Sequence, residues 1–578
     1  MSAPSSQGTG RRAGRSRRGS DQPAEAAPQG VERRAGPLPT LENAKEPSTR
    51  SPLPRAAGIL LHPTALPGPH GIGDLGAAAY RFVEVLEAAR QTVWQLMPLG
   101  PVGLGNSPYA ASSAFAGFPL LIALDQLMGR GWLDQGDLDA PDFPPAQVQF
   151  DGAAAFKTER LRKAFGRFEQ QATDEDMTSL AAFGERHRAW LDDFALFMAL
   201  KDAHDGAGWM NWDRPLALRE AGALAKARQD LATDVRYHQW VQWVFFEQWA
   251  SVRRYANERG ITIVGDIPIF VAWDSADVWV HREQFQMDDE QPTAVAGVPP
   301  DAFSKTGQRW GNPLYDWDRM AETGYRWWLD RFKATLELVD TVRLDHFRGF
   351  AACWWVPADE ETAINGTWVP GPGRALFDAI SRELGHIPMI VEDLGEITPD
   401  VIVLREELGF PGMKVLQFAF GDDAHDGIPQ GENPYLPHNY EPNCVVYTGT
   451  HDNDTTVGWF ASLSDEERAS VLRYVGTDGS RIARDLARLA QQSVAAVAVI
   501  PLQDLLELGP EARMNVPGRP EHNWTWRYQD GMIQPHHTEW LAELTASTAR
   551  WKAPEEPTDQ PEQDADDTPN EPQDAPAR

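Results

Sequence analysis

A parallel (β/α)8 TIM barrel with large helical and loop insertions between its strands, flanked by disordered N- and C-terminal tails, is the fold that this 578-residue sequence predicts. Three observations carry the prediction. Eight short runs rich in Val, Ile and Leu recur along the chain, helical pattern separates them, and most end in Gly, Pro or a polar residue. Continuous apolar runs mark strands buried on both faces, and eight of them alternating with helices suit a closed parallel barrel.

The elements follow in order. Residues 1–54 read as a disordered basic arm: Pro, Gly and Ser surround the run Arg11 to Arg18, with almost no bulky apolar residue to anchor a fold. The strand runs are Gly58 to His62, Thr92 to Pro98, Ile261 to Asp266, Asp340 to Asp345, Pro388 to Glu392, Met413 to Phe418, Cys444 to His451 and Val497 to Leu502. Their uneven spacing puts insertions at about 100–260 and 270–338 of a catalytic domain spanning 55–551. The first insertion is helical: from Tyr237 to Arg259, Trp240, Trp243, Val244 and Phe246 recur at three- and four-residue spacing, the pattern of a core-facing helix. The second reads as loop, with many Gly, Pro and Trp. Residues 552–578 form an acidic, Pro-rich tail too poor in apolar groups to pack.

Charge narrows the partners. The chain carries 53 basic against 84 acidic residues, a net −31, which repels polyanions and argues against nucleic acid or an anionic membrane surface. The arm holds nine basic and five acidic residues and the tail two and nine, so most of the acidity belongs to the body. Two cysteines, Cys353 and Cys444, cannot build a disulfide framework, no apolar run reaches the ~18 residues of a membrane span, and no secretory segment follows Met1. The expectation is a cytoplasmic protein.

In a barrel of this kind function gathers at the C-terminal ends of the strands. Those ends hold His62, Asp266, Asp345, Glu392, and His451 followed by Asp452. One such carboxylate is as readily a helix N-cap, but several on one rim repel each other and need a reason. Arg343 lies two residues before Asp345, on the same strand face, where it can keep that carboxylate ionised as a nucleophile. Glu392 ends a strongly apolar strand, where desolvation raises a carboxyl towards the range of a general acid. Asp452 adds a third carboxylate beside an imidazole. A nucleophile, an acid/base and a stabiliser is the set that retaining glycoside chemistry uses.

Two competing readings are weaker. The arginine beside Asp345 weighs against a magnesium site, and Asp452-Asn453-Asp454 lacks the Gly and Glu of a calcium loop, so neither metal nor cofactor is expected. Gly71 to Gly76 satisfies G-x-G-x-x-G, but eight residues with three prolines separate it from the first strand, so its glycines shape a rim loop. Nine of the 22 tryptophans lie between 270 and 370, and flat rings in loops around carboxylates suit the apolar faces of sugars. Trp327 and Trp328 are expected to pack a helix, whereas Trp310 is the leading sugar-facing ring.

The blocks Ala57 to Pro63, Asn106 to Tyr109, Gly265 to Val271, Ala296 to Asn312, Val342 to Gly349, Val391 to Gly395 and Thr448 to Thr455 resemble the 4-α-glucanotransferases, or amylomaltases, over about residues 55 to 550. The resemblance implies transfer of α-1,4-glucan segments from malto-oligosaccharide donors to glucose or another glucan. It implies Asp345 as nucleophile, Glu392 as acid/base and Asp452 as stabiliser, with Arg343 and His451 on the donor sugar. Asp266, Tyr109, Ser107, Gln308, Trp310, Phe418 and Asn515 fall where the family contacts glucan. The loop Gly297 to Ser304 resembles a lid, in which stacking would depend on Phe303 because Ala302 stands where many relatives carry an aromatic. Plain α-glucan hydrolysis uses the same carboxylates and remains the alternative. A non-catalytic glucan-binding barrel is the third reading, disfavoured by the presence of all three acids.

Overall fold

The computed structural model describes residues 53–552 apart from 289–290, 301–303, 396, 421–429 and 520. The arm expected over 1–54 and the tail expected over 552–578 lie almost wholly outside the described residues.

Twelve strands are present among the described residues: β1 (Ala56–Leu60), β2 (Val93–Gln95), β3 (Thr262–Pro268), β4 (Ala294–Val298), β5 (Gln308–Pro313), β6 (Thr341–Asp345), β7 (Ala352–Pro357), β8 (Thr367–Pro370), β9 (Met389–Val391), β10 (Gly412–Val415), β11 (Cys444–Tyr447) and β12 (Val497–Pro501). Eight of them form one parallel sheet in the order β10-β11-β12-β1-β2-β3-β6-β9, which is chain order around a ring. Between β9 and β10 the Val391 N–H donates to the Pro411 carbonyl at 3.0 Å, bringing the two edges together. All eight expected runs are therefore barrel strands, several of them shorter than the apolar run that announced them.

The close packing of the first two strands has a visible cause. Gly58 pairs with Val93, and a Cβ added at Gly58 would lie 2.4 Å from the Val93 carbonyl oxygen, so only glycine lets the backbones approach there. The rim loop with the G-x-G-x-x-G pattern is also set by close approach: a Cβ at Gly73 would meet the Pro63 oxygen at 2.1 Å. Its helix, Ala77–Ala88, starts directly after Gly76.

Between β2 and β3 stands a helical layer. Its 26-residue helix Ala232–Asn257 buries Trp240, Trp243, Phe245, Phe246 and Trp249, with Trp132 tilted on Trp240 at 5.8 Å. The tryptophan-rich face is core, as its spacing predicts; emptying such a site costs about 3–5 kcal/mol. The second insertion departs from expectation. It is not all loop, because β4 and β5 join β7 and β8 in an antiparallel sheet, order β5-β4-β7-β8. β7 and β8 come from the connection after β6, so pairing across two separate insertions, not local propensity, makes these segments strands. This small sheet carries Trp310.

Candidate active site

The register of β3 and β6 builds the centre of the site. It sets Asp266 opposite Arg343, and strand alternation puts Asp345 on the same face as Arg343. Arg343 Nη1 donates to Asp266 Oδ2 at 2.5 Å and to Asp345 Oδ1 at 2.9 Å, so one buried guanidinium bridges both carboxylates. Although burial opposes its charge, these two acids hold Arg343 well above its ordinary range. Asp266 is not a helix cap: β3 runs on to Pro268, and Asp266 Oδ2 also accepts from the Tyr109 hydroxyl at 2.7 Å. Burial pushes Asp266 up to about 7, against the pull of Arg343. The Asp266 side chain is only 2% exposed, so it acts behind Tyr109, while Asp345 is 29% exposed and faces open space.

Glu392 follows directly on β9. Its two oxygens accept from the His346 N–H at 2.7 Å and the Leu394 N–H at 2.8 Å, which fixes the carboxyl beside the residue that follows Asp345. For the first of these bonds to form the chain must turn sharply after Asp345, and His346 takes a left-handed φ of 54°. Burial first, and then the Asp345 carboxylate, push Glu392 up to about 8. Arg343 and the two backbone donors act in the other direction but are outweighed.

Asp452 sits on the turn after β11 and is held from several sides. Asn515 Nδ2 donates to its Oδ1 at 2.6 Å, His451 Nε2 lies 3.3 Å from its Oδ2, and Arg513 Nη2 binds its main-chain oxygen at 2.7 Å. Deeper, Asp504 accepts from the Thr448 and Thr456 hydroxyls at 2.5 and 2.7 Å, tying both ends of the turn to the segment after β12. His451 stacks on Tyr109 at 5.0 Å between centroids, and Trp524 tilts against both rings. Burial lowers the His451 pKa, which keeps the ring neutral at pH 7 although Asp452 opposes the shift.

Asp345, His451, Asp452 and Tyr109 border one cavity of about 1090 Å³, lined also by Ser107, Trp310, Asn515 and Trp524; Asp266, Arg343 and Glu392 do not line it. Trp310 is 40% exposed and presents its ring edge-on to His346 at 4.8 Å, whereas Trp327 and Trp328 are buried. Three of the expected glucan contacts stand apart. Asp266 and Gln308 do not line the cavity, and Gln308 Oε1 accepts from the Trp310 indole at 3.3 Å. Phe418 lies past the end of β10, on the 3-10 turn Leu416–Ala419, against Tyr435. Phe303 and Ala302 lie outside the described residues. Sequence reading did not single out His346, Trp524, Arg513 or Asp504. Among the described residues no group of three or more His, Cys, Asp or Glu side chains is arranged to hold a metal ion.

The grip on Asp452 makes a prediction. Asn515→Ala frees its carboxylate to rotate, and kcat falls by roughly ten- to a hundredfold with little change in KM. Asn515→Asp, which sets a second anion at the same place, is the more damaging of the two at neutral pH, and the gap between them narrows towards acid pH. Steady-state kinetics of both variants across pH check this.

Comparison with known proteins agrees with the geometry. The family model described as 4-alpha-glucanotransferase matches residues 61–534. The 4-alpha-glucanotransferase of Thermus thermophilus is 49% identical over 507 residues, 86% of this chain and 99% of that one. The chloroplastic/amyloplastic enzyme of Solanum tuberosum is 45% identical, over 82% of each chain. Among solved structures, the amylomaltase from Streptococcus agalactiae in complex with acarbose superposes with a TM-score of 0.83 at 37% identity, over 86% of this chain and all of that one. A chain that folds into a barrel with three carboxylates, an arginine and a histidine gathered at its strand ends, and that aligns with these relatives over almost its whole described length, belongs to the 4-alpha-glucanotransferase family.

Proposed function

We propose that this protein is a retaining 4-α-glucanotransferase that works by double displacement, with Asp345 as nucleophile, Glu392 as acid/base and Asp452 as stabiliser. The observation that carries the reading is the different setting of two neighbouring carboxyls. Asp345 is held by a guanidinium at 2.9 Å and lines the cavity, while Glu392 is fixed beside it by two backbone N–H groups and burial pushes it up to about 8, so that at neutral pH Glu392 holds a proton.

The steps follow. Glu392 gives its proton to the glycosidic oxygen as the Asp345 carboxylate attacks the anomeric carbon. The C–O bond breaks, the leaving glucan departs with its new hydroxyl, and the donor segment stays esterified to Asp345. Glu392, now ionised, takes the proton from the 4-OH of an incoming glucose or malto-oligosaccharide, whose oxygen displaces Asp345 and restores the carboxylate. Asp452, Arg343 and His451 grip the donor sugar in this scheme, and Tyr109, Ser107, Trp310 and Asn515 contribute to binding along the cavity. Trp310 offers a sugar the flat apolar surface that an exposed indole provides. The whole span 55–551 acts as one catalytic unit in this reading. Among the described residues no helix is long and apolar enough to cross a membrane, and residence in the cytoplasm is the setting that two lone, buried thiols support.

Incubation with maltotriose tests the reaction. Transfer yields a ladder of shorter and longer oligosaccharides with little gain in reducing ends. A steady rise in reducing ends instead establishes hydrolysis.

A further inference from the structure

His62 is a buried histidine with half its hydrogen-bonding capacity unaccounted for. It lies two residues past β1, is 3% exposed, and caps nothing at the start of the turn Pro63–Ala65. Its ring bonds to the backbone of Met97. The other ring nitrogen, Nδ1, is sealed from solvent and has no partner among the described residues. Burial, and after it the neighbouring His451, lower its pKa to about 3, so the ring is neutral and carries one N–H. Placing that N–H on Nε2 leaves the unpartnered Nδ1 as a lone-pair acceptor. An acceptor buried without a donor is costly, and the fold keeps this one on a cavity wall that it shares with Thr450, His451 and Asn453 of the turn that carries Asp452.

His62 and that turn both border a small cavity whose mainly apolar wall carries a few polar groups. It measures about 20 Å³ and is bounded by His62, Met97, Thr450, His451, Asn453 and Arg513, together with neighbouring apolar groups. One water needs about 10–15 Å³ and two to four polar partners; the cavity has the room, and His62, Thr450, Asn453 and Arg513 on its wall are the polar residues that could serve. His451 has Tyr109 stacked on it and Asp452 at its Nε2, so the cavity borders a ring whose other contacts are already set.

We infer that His62 is a positioning residue: its Nδ1 accepts from a water in this cavity, and the water's remaining bonds fall on the Thr450–His451 turn, holding the His451 ring and Asp452 in register. His62 touches no substrate. It acts through His451, and the inference rests on the roles proposed above for His451 and Asp452.

The test compares two replacements. His62→Phe keeps a flat ring and removes the acceptor, while His62→Asn sets an amide oxygen near the position of Nδ1. With rates normalised to folded protein, His62→Phe lowers kcat by roughly ten- to a hundredfold and leaves KM for maltotriose nearly unchanged. His62→Asn restores kcat to within about threefold of the parent, a rescue that loss of packing alone would not give. Full kcat in His62→Phe, or equal losses in both variants, overturns the inference. Should His62→Phe fail to fold, a high-resolution crystal structure of the parent decides: a water within about 3.2 Å of His62 Nδ1 and of a polar atom of the Thr450–His451 turn supports the inference, and its absence overturns it. The Asn515→Ala kinetics test the role of Asp452 separately, so a loss there beside full activity in His62→Phe counts against His62 alone.

Discussion

Asp345→Asn yields a folded protein that binds malto-oligosaccharides and does not turn them over. An amide nitrogen or its carbonyl is too weak a nucleophile to displace a glucan, so no glycosyl ester forms, and kcat falls by roughly 10⁴- to 10⁶-fold, the scale at which loss of an enzymic nucleophile is felt. The fold survives because Arg343 keeps its stronger partner. Asp266 remains 2.5 Å from the same Nη1, so the buried guanidinium is not left uncompensated, the condition that makes broken buried pairs costly. Asp345 also stands at the more exposed end of its strand, where the amide can be solvated. Circular dichroism shows an unchanged fold and calorimetry shows binding, while product chromatography from maltotriose shows no ladder. Near-full activity in this variant would refute Asp345 as nucleophile.

The strands of the barrel were legible because they are buried on both faces and so read as uninterrupted apolar runs; Val497–Pro501 and Cys444–Tyr447 are completely buried. The polar residues that end such runs stood out against them, which is why Asp345 and Glu392 could be picked without a structure, together with the direction in which burial moves Glu392. The antiparallel sheet was not legible. β4 is Ala-Val-Ala-Gly-Val and β5 is Gln-Arg-Trp-Gly-Asn-Pro, weak strand formers punctuated by glycine, and they are strands because β7 arrives from another part of the chain. His346 was missed for a different reason. Its importance lies in its main-chain N–H and in a backbone angle, neither of which a side-chain pattern records. Phe418, which the family resemblance alone pointed to, was expected at the end of a strand, but the chain breaks into a 3-10 turn after Val415 and sets the ring against Tyr435.

Glu392→Gln removes the proton donor of the first step and the base of the second, and lowers kcat by roughly 10²- to 10⁴-fold with maltotriose. The sign of the pH dependence follows from the raised carboxyl. In the parent, Glu392 holds its proton up to about 8, so kcat/KM is sustained through neutrality and falls as pH rises through that value. The variant has no group to lose there, and its small residual rate keeps no such limb. A donor with a fluoride leaving group needs little protonation, so formation of the glycosyl ester recovers with α-maltosyl fluoride, while its release to a sugar acceptor stays slow. Stability moves in the opposite sense. A carboxyl whose folded pKa lies above its ordinary 4.5 favours folding fully below that value, and the benefit is lost as pH rises through about 8. Glutamine cannot ionise and does not suffer this loss. The melting temperature of Glu392→Gln, measured relative to the parent, therefore climbs as pH is raised from about 5 to about 8; a difference that stays flat across this range would mean that Glu392 is not held protonated by its surroundings and would remove the physical basis for its role as the acid.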